Sequence, residues 1–259
     1  MKRKLQSITD KFIPVIVLVS ILIVWQMVCV LGLIPSYMLP SPADVVGAFI
    51  EDFGLLMKHT GYTLVEAFVG LAIGIVLGLV VAVLMDRFTL VYKGIYPILV
   101  ITQTIPTIAI APLLVLWLGY DMLPKVVLVV ITSFFPIAVG LLEGFKSADN
   151  DTISLMRCMG AGSFQIFKYV KLPGAAPSFF SGLKISATYA MVGAVISEWL
   201  GGFYGLGVYM VRVKKSYAFD KMFAVIFLIC IVSLLLMKGV DILQKISTPW
   251  VKKGRKTVK

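Results

Sequence analysis

Apolar positions come in long blocks at 12–33, 64–85, 95–118, 123–142, 179–200 and 222–240, separated by charged stretches. Inside the blocks there is no period of two. Val15 to Val19 and Ile73 to Val83 run without a polar residue, which excludes the alternation of a membrane β-barrel strand. A block of about 20 apolar residues, rising about 1.5 Å per residue, crosses the hydrocarbon core as a helix. In lipid the backbone must satisfy its own hydrogen bonds, so helices are the form these blocks take. The pattern predicts an all-α, polytopic membrane protein with about six transmembrane helices, read as a single transmembrane domain over residues 1–259. The block at 12–33 follows a basic start but exceeds the roughly 7–15 residues of a signal-peptide core, and no small-x-small site closes it. It is read as a retained first span.

The segments differ in chemistry. Between the first two blocks, 43–57 places Val45, Val46, Phe49, Phe53 and Leu56 at helical spacing, predicting a short amphipathic helix. In the second block Gly70, Gly74 and Gly78 recur every fourth position. That spacing fits either a seam for close helix approach or a generally lipid-tolerant helix. The block at 95–118 carries Pro97, Pro106 and Pro112 with Thr102, Gln103, Thr104 and Thr107. Such interruptions are tolerated in a membrane where protein or a watery cavity surrounds them, which makes this block the candidate wall of a pathway. Lys184, one turn inside the fifth block, is placed to reach toward the headgroups.

The longest polar stretch, 146–177, carries its own signals. Asp151 is read as capping a helix over 152–159, Gly160 as a turn, Ser163 as capping a second helix over 164–170, and Pro173 as its stop. The two short helices display Met156, Met159, Phe164, Ile166 and Phe167. Large apolar side chains in a wet loop require a partner surface, unless they pack back on the chain's own helices or lie on lipid.

Composition sharpens the picture. The chain is 59% hydrophobic and 14% charged, against about 25% charged in soluble domains. The net charge of +11 would suggest nucleic acid in a soluble protein, but here the basic residues flank the blocks, and no nucleic-acid partner is expected. With both termini in the cytoplasm, 18 of the 24 Lys and Arg fall on that side, as the positive-inside rule requires. Cys29, Cys158 and Cys230 make no disulfide or metal spacing. No Gly-Lys dipeptide, and so no phosphate-binding loop, is present, and neither is a zinc-protease or esterase motif.

Gly160, then Val170 and Leu172-Pro173 at fixed spacing, resembles the cytoplasmic-loop signature of binding-protein-dependent ABC importer permeases. That pattern reads Glu-Ala-Ala, three residues, Gly, nine residues, Ile, one residue, Leu-Pro. Ser154, Leu155 and Met156 stand at the Glu-Ala-Ala positions, a departure from the pattern. Leu39-Pro40-Ser41-Pro42, the stretch 103–112 and the run Gly193 to Gly207 resemble the nitrate, sulfonate and taurine branch. The last run is most similar to permeases for thiamine pyrimidine precursors or riboflavin. The resemblance implies a type I, MetI-like permease and a transport subunit rather than an enzyme. Its loop would dock on a separate ATPase subunit through Ser154, Met156, Met159, Gly160, Phe164, Ile166, Phe167, Leu172 and Pro173.

By the same resemblance the partners are that ATPase, which would carry ATP and Mg, an extracytoplasmic solute-binding protein and a second permease copy. No cofactor is expected on this chain. The setting implied is the plasma or inner membrane of a prokaryote. Gln103, Thr104, Thr107, Ser133, Tyr189 and Glu198 are the candidate pathway residues, although polar groups in spans can instead bond neighbouring backbones. Glu198 fits a pathway or gate, or an interfacial carboxylate paired with Lys214 or Lys215. The rival readings are an ion-coupled secondary transporter and a non-transporting membrane scaffold.

Overall fold

The computed structural model describes residues 2–250, so the basic tail at 251–259 lies outside the described residues. Among the described residues all regular structure is helical. Five helices are long and apolar enough to cross a bilayer: α1 (Lys2–Val30), α3 (Phe53–Arg87), α6 (Met122–Lys146), α9 (Leu172–Leu200, with its lead-in from Ser163) and α11 (Phe219–Ser247). Between them lie α2 (Pro42–Glu51), α4 (Thr89–Thr104), α5 (Thr107–Leu118), α7 (Asn150–Cys158), α8 (Ser163–Ile166) and α10 (Leu206–Lys215).

The stretch at 95–118, expected as one span, is broken. α4 and α5 meet at an angle of 99°. Ile105 (ψ 121°) and Pro106 (ψ 121°) are both extended. A proline ring clashes with an α-helical residue before it, so the turn must open at Ile105.

The chain folds as two compact units, one within Met1–Lys58 and Tyr209–Leu228, the other within His59–Val208 and Ile229–Lys259. In the first, Trp25 donates its indole N–H to Pro40 O at 3.1 Å and stacks on Phe227 at 5.9 Å. Val45, Ala48 and Ala224 form the adjoining core. Ser41 caps α2 reciprocally with Asp44, and Pro42 opens the helix where a missing N–H costs nothing. The helix is short, ending before Asp52, which accepts from the Tyr209 hydroxyl and pairs with Lys221 at 3.0 Å. Burial pushes the Asp52 carboxyl up, but the hydrogen bonds from Tyr209 and Lys221 outweigh it and leave the group below its ordinary value.

The second unit is organised around α6. On one side α3 lays its glycines against α6 in matching steps of four. A Cβ at Gly70 would fall 2.5 Å from Val129 Cβ, one at Gly74 2.6 Å from Ser133 Oγ, and one at Gly78 2.8 Å from Ile137 Cγ2. The glycine spacing is thus a seam of close approach. On the other side α9 reaches the α6 backbone: a Cβ at Gly182 would lie 2.3 Å from Pro136 O. Ser186 clasps this contact by donating to Ser133 O at 2.6 Å. Between these two residues, Lys184 pairs with Asp241 of α11 at 2.5 Å rather than reaching out alone. The faces of these helices that point away from the packing remain apolar and exposed, as lipid-facing surfaces are.

The seam yields a contrast. Gly74→Val should push α3 off α6 and lower stability by about 1–3 kcal/mol, the usual cost of overpacking. Gly61→Ala, on the same helix with open space around it, should raise the melting temperature slightly through helix propensity. Thermal unfolding of the detergent-solubilised protein, followed by size-exclusion chromatography, checks both. Equal behaviour of the two variants would contradict the seam.

Candidate functional site

The loop after α6 begins with a cap. Asp149, in extended conformation, accepts from the N–H groups of Asp151 and Thr152, each at 3.2 Å, and from the Thr152 hydroxyl. The Thr152 hydroxyl bond, then the two amides, hold its carboxyl below the ordinary value. The cap is therefore Asp149 rather than Asp151, and the helix starts two residues early. Asp149 has the free N–H groups two and three residues ahead of it. Met159 closes α7, and Gly160 turns at φ 84°, a conformation that penalises any side chain.

Gly162, not Ser163, occupies the cap position of α8, with its N–H donated to Gln165 Oε1 at 2.8 Å. Pro173 does not stop this helix. Residues Phe167–Lys171 form a π turn that runs directly into α9, with Leu172 N–H bonded to Phe167 O five residues back. The wider turn changes the bonding register just ahead of Pro173, so its missing donor falls at a junction rather than inside a regular ladder.

The nine loop residues separate by environment. Met159 and Phe164 stand 78% and 74% exposed, and Leu155 and Tyr169 are exposed beside them. Ile166 is buried, and Phe167 packs on Phe145 with ring centroids 5.4 Å apart. Ser154 is exposed and Met156 half-buried. Gly160 makes the turn, while Leu172 and Pro173 sit in the first turn of α9. Behind the loop is a cavity of about 800 Å³ lined by Ser154, Arg157, Ile153 and the ends of α3 and α6. Lys171 ties the loop to the end of α3 through both oxygens of Asp86, at 2.8 and 2.9 Å. The loop is thus anchored on one face and presents apolar side chains on the other.

A second cavity, of about 500 Å³, opens between α4, α6 and α9. Of the candidate pathway residues it gathers Gln103, from the last turn of α4, and Tyr189 of α9. Thr104 and Thr107 flank the α4–α5 break instead, with the Thr104 hydroxyl bonded to Ile101 O at 2.7 Å. Ser133 is fully buried against α3 and donates to Val129 O at 2.7 Å, so its hydroxyl serves helix packing. The cavity also collects Phe135, Val139 and Glu143 of α6 with Ser178 and Ser181 of α9, which the sequence reading did not select. Their signal was positional: 135, 139 and 143 recur every fourth residue on one helical face.

Glu198 lies elsewhere and is 1% exposed. One carboxylate oxygen accepts from the Thr63 hydroxyl at 2.7 Å, the other from Gly207 N–H at 2.6 Å. Thr63 in turn accepts from Leu206 N–H at 2.8 Å, and His59 Nδ1 from Gly205 N–H at 2.9 Å. Lys125 completes the cluster with Glu66 Oε1 at 2.7 Å. The expected interfacial pairing of Glu198 with Lys214 or Lys215 is replaced by this buried clasp, because the turn at Gly205 folds the start of α10 back onto α9. A Cβ at Gly205 would lie 2.2 Å from Glu198 Cδ, so the fold-back needs a bare residue.

Comparison with known proteins places this architecture. Residues 74–253 match the family model described as binding-protein-dependent transport system inner membrane component. The chain is 36% identical over 255 residues to the formylaminopyrimidine transport permease protein ThiX of Halalkalibacterium halodurans, covering 98% of this chain and 100% of that one. It is 37% identical over 228 residues to a probable ABC transporter permease protein of Haemophilus influenzae, covering 88% and 93%. Among solved structures, a chain of the inward-facing MetNI methionine ABC transporter superposes with a TM-score of 0.67 at 23% identity, covering 75% of this chain and 97% of that one. With a family model matched over 74–253 and a relative matched across nearly its whole length, the chain belongs to the binding-protein-dependent inner membrane components, the multi-pass permease subunits of ABC importers.

Proposed function

We propose that this permease forms half of the pathway for a small polar solute related to the pyrimidine precursors of thiamine, with ATP hydrolysed on a separate ATPase subunit. The observation that carries the ATPase arm is the loop's division of faces. Ile166 and Phe167 root it to the chain's own helices, while Met159 and Phe164 are largely exposed, Phe164 at the edge of the cavity behind the loop. Exposed apolar groups on a short rigid helix are what a groove on a partner recognises. The reading of the solute rests on the full-length match to a formylaminopyrimidine permease. Riboflavin, sulfonate and taurine permeases match at 28–30% and mark the wider set of solutes.

In this reading two copies pair, each docked on one ATPase subunit that binds ATP and Mg. An extracytoplasmic binding protein delivers the solute from the other side. The loop and both termini face the cytoplasm of a prokaryotic cell, in line with the basic residues that flank the spans. Closure of the ATPase pair moves the loop, and the Lys171–Asp86 ion pair and the continuous π turn transmit that motion to α3 and α9. Ser154, Met156, Leu172 and Pro173 support the docking surface from its edges.

Reconstitution in proteoliposomes tests the proposal against its rivals. Uptake that requires both ATP and the separate ATPase is the expected result. Uptake driven by an ion gradient alone would indicate a secondary transporter, and none with any partner a scaffold. Gly160→Val should reduce ATP-driven uptake at least tenfold while leaving membrane insertion intact, since the left-handed turn excludes a β-branched side chain. Cysteines at Met159 and Phe164 should cross-link to the ATPase subunit, whereas one at Ile166, which is buried, should not. Equal cross-linking at all three positions would contradict the division of faces.

A further inference from the structure

The polar groups of the α4–α6–α9 cavity are unevenly matched. Glu143 contributes a carboxylate, and no lysine or arginine lines the space. Three cations close in sequence to the cavity residues are engaged elsewhere: Lys146 sits 4.0 Å over the Tyr92 ring, Lys171 binds Asp86, and Lys184 binds Asp241. The hydroxyl of Ser181 donates to Pro177 O at 3.0 Å, so it turns only lone pairs toward the cavity. Gln103 adds one acceptor with its two amide donors, and Tyr189 and Ser178 add hydroxyls. The remaining walls are Phe135, Pro136, Val139 and Ile185, flat or aliphatic groups in a space of about 500 Å³. That volume suits a single small ring with room to move.

We infer that this cavity is a selectivity site for neutral or cationic solutes rich in N–H donors, a flat amino-substituted nitrogen ring above all, and that it rejects anions. This rests on the reading of the chain as a pathway-forming permease and deepens it. An amino ring presents N–H groups to Glu143, Ser181 and the Gln103 carbonyl while its face lies against the Phe135 and Tyr189 rings. A sulfonate or nitrate brings acceptors only. It would meet a carboxylate of like charge in a space that no lysine or arginine lines.

The test uses the permease–ATPase complex in lipid nanodiscs without binding protein, so that only the membrane site is read. Saturation-transfer NMR with 4-amino-2-methylpyrimidine and 1-butanesulfonate should show the pyrimidine signal at least tenfold above the sulfonate signal. Tyr189→Ala should weaken the pyrimidine signal at least fivefold. Glu143→Lys should bring the ratio of the two signals to one or below, and a ratio does not depend on the fraction of complex that is folded. Comparable signals for both probes in the unmodified complex, or an unchanged ratio in Glu143→Lys, would overturn the inference. ATP-driven uptake of the pyrimidine through an unselective cavity would remove this inference alone. A selective cavity in a complex without ATP-driven uptake would remove the importer reading alone.

Discussion

Close backbone approach on two sides of α6 is the constraint from which the second unit is built. In a bilayer, lipid tails are as apolar as leucine, so helices gain little by merely hiding apolar surface from one another. What holds them is dense van der Waals contact, and that contact needs backbones near each other. Gly70, Gly74 and Gly78 supply it toward α3, and Gly182 toward α9. Ser133 takes part on both sides, its hydroxyl against Gly74 and its carbonyl accepting from Ser186. The polar residue most suggestive of a pathway in the middle of α6 is therefore a packing residue, and the groove opens on a neighbouring face of the same helix.

With α6 fixed in this way, the functional features sit at defined places along it. Glu143, near its C-terminal end, reaches the cavity that Phe135 and Tyr189 wall. Beyond that end, Asp149 restarts the chain as α7, and Phe145 receives Phe167 so that the loop is seated rather than loose. At the opposite end of the helix, Lys125 joins Glu66 in a buried cluster to which Glu198, Thr63 and the amides of 205–207 also belong. A carboxylate with both oxygens satisfied by fixed donors is well suited to pin a loop and poorly suited to exchange partners with a passing solute. The two ends thus have different tasks: one holds a loop shut on the helices, the other carries a loop that projects.

The broken pair α4–α5 shows how a membrane protein accommodates backbone that lipid would not. Pro106 forces Ile105 out of the helix, and the chain turns through 99°. Gln103, in the turn before the break, is thereby brought to the cavity. The π turn at Phe167–Lys171 solves a related problem with one wider loop of backbone, and Pro173 sits at the start of a 29-residue helix that continues from it.

The sequence by itself determined the class of this protein. Six apolar blocks dictate helices because lipid offers no other partner for the backbone, and the glycine and Leu-Pro positions of the loop carry the family. It also marked Gly160, whose φ of 84° needs a residue without a Cβ, and Gln103 and Tyr189, which share one cavity. The two caps of the loop lie one or two residues before the positions the sequence suggests, because Asp149 and Asp151 offer the same chemistry and only the chain's path selects between them, and the stop expected at Pro173 is absent because the π turn carries the chain into α9. Tertiary structure alone decided the fate of Ser133, Glu143 and Glu198. All three are polar residues in apolar helices, alike in composition and spacing. Whether such a group faces a neighbouring helix, a cavity or a returning loop depends on the rotation of each helix about its axis, which contacts between distant parts of the chain set.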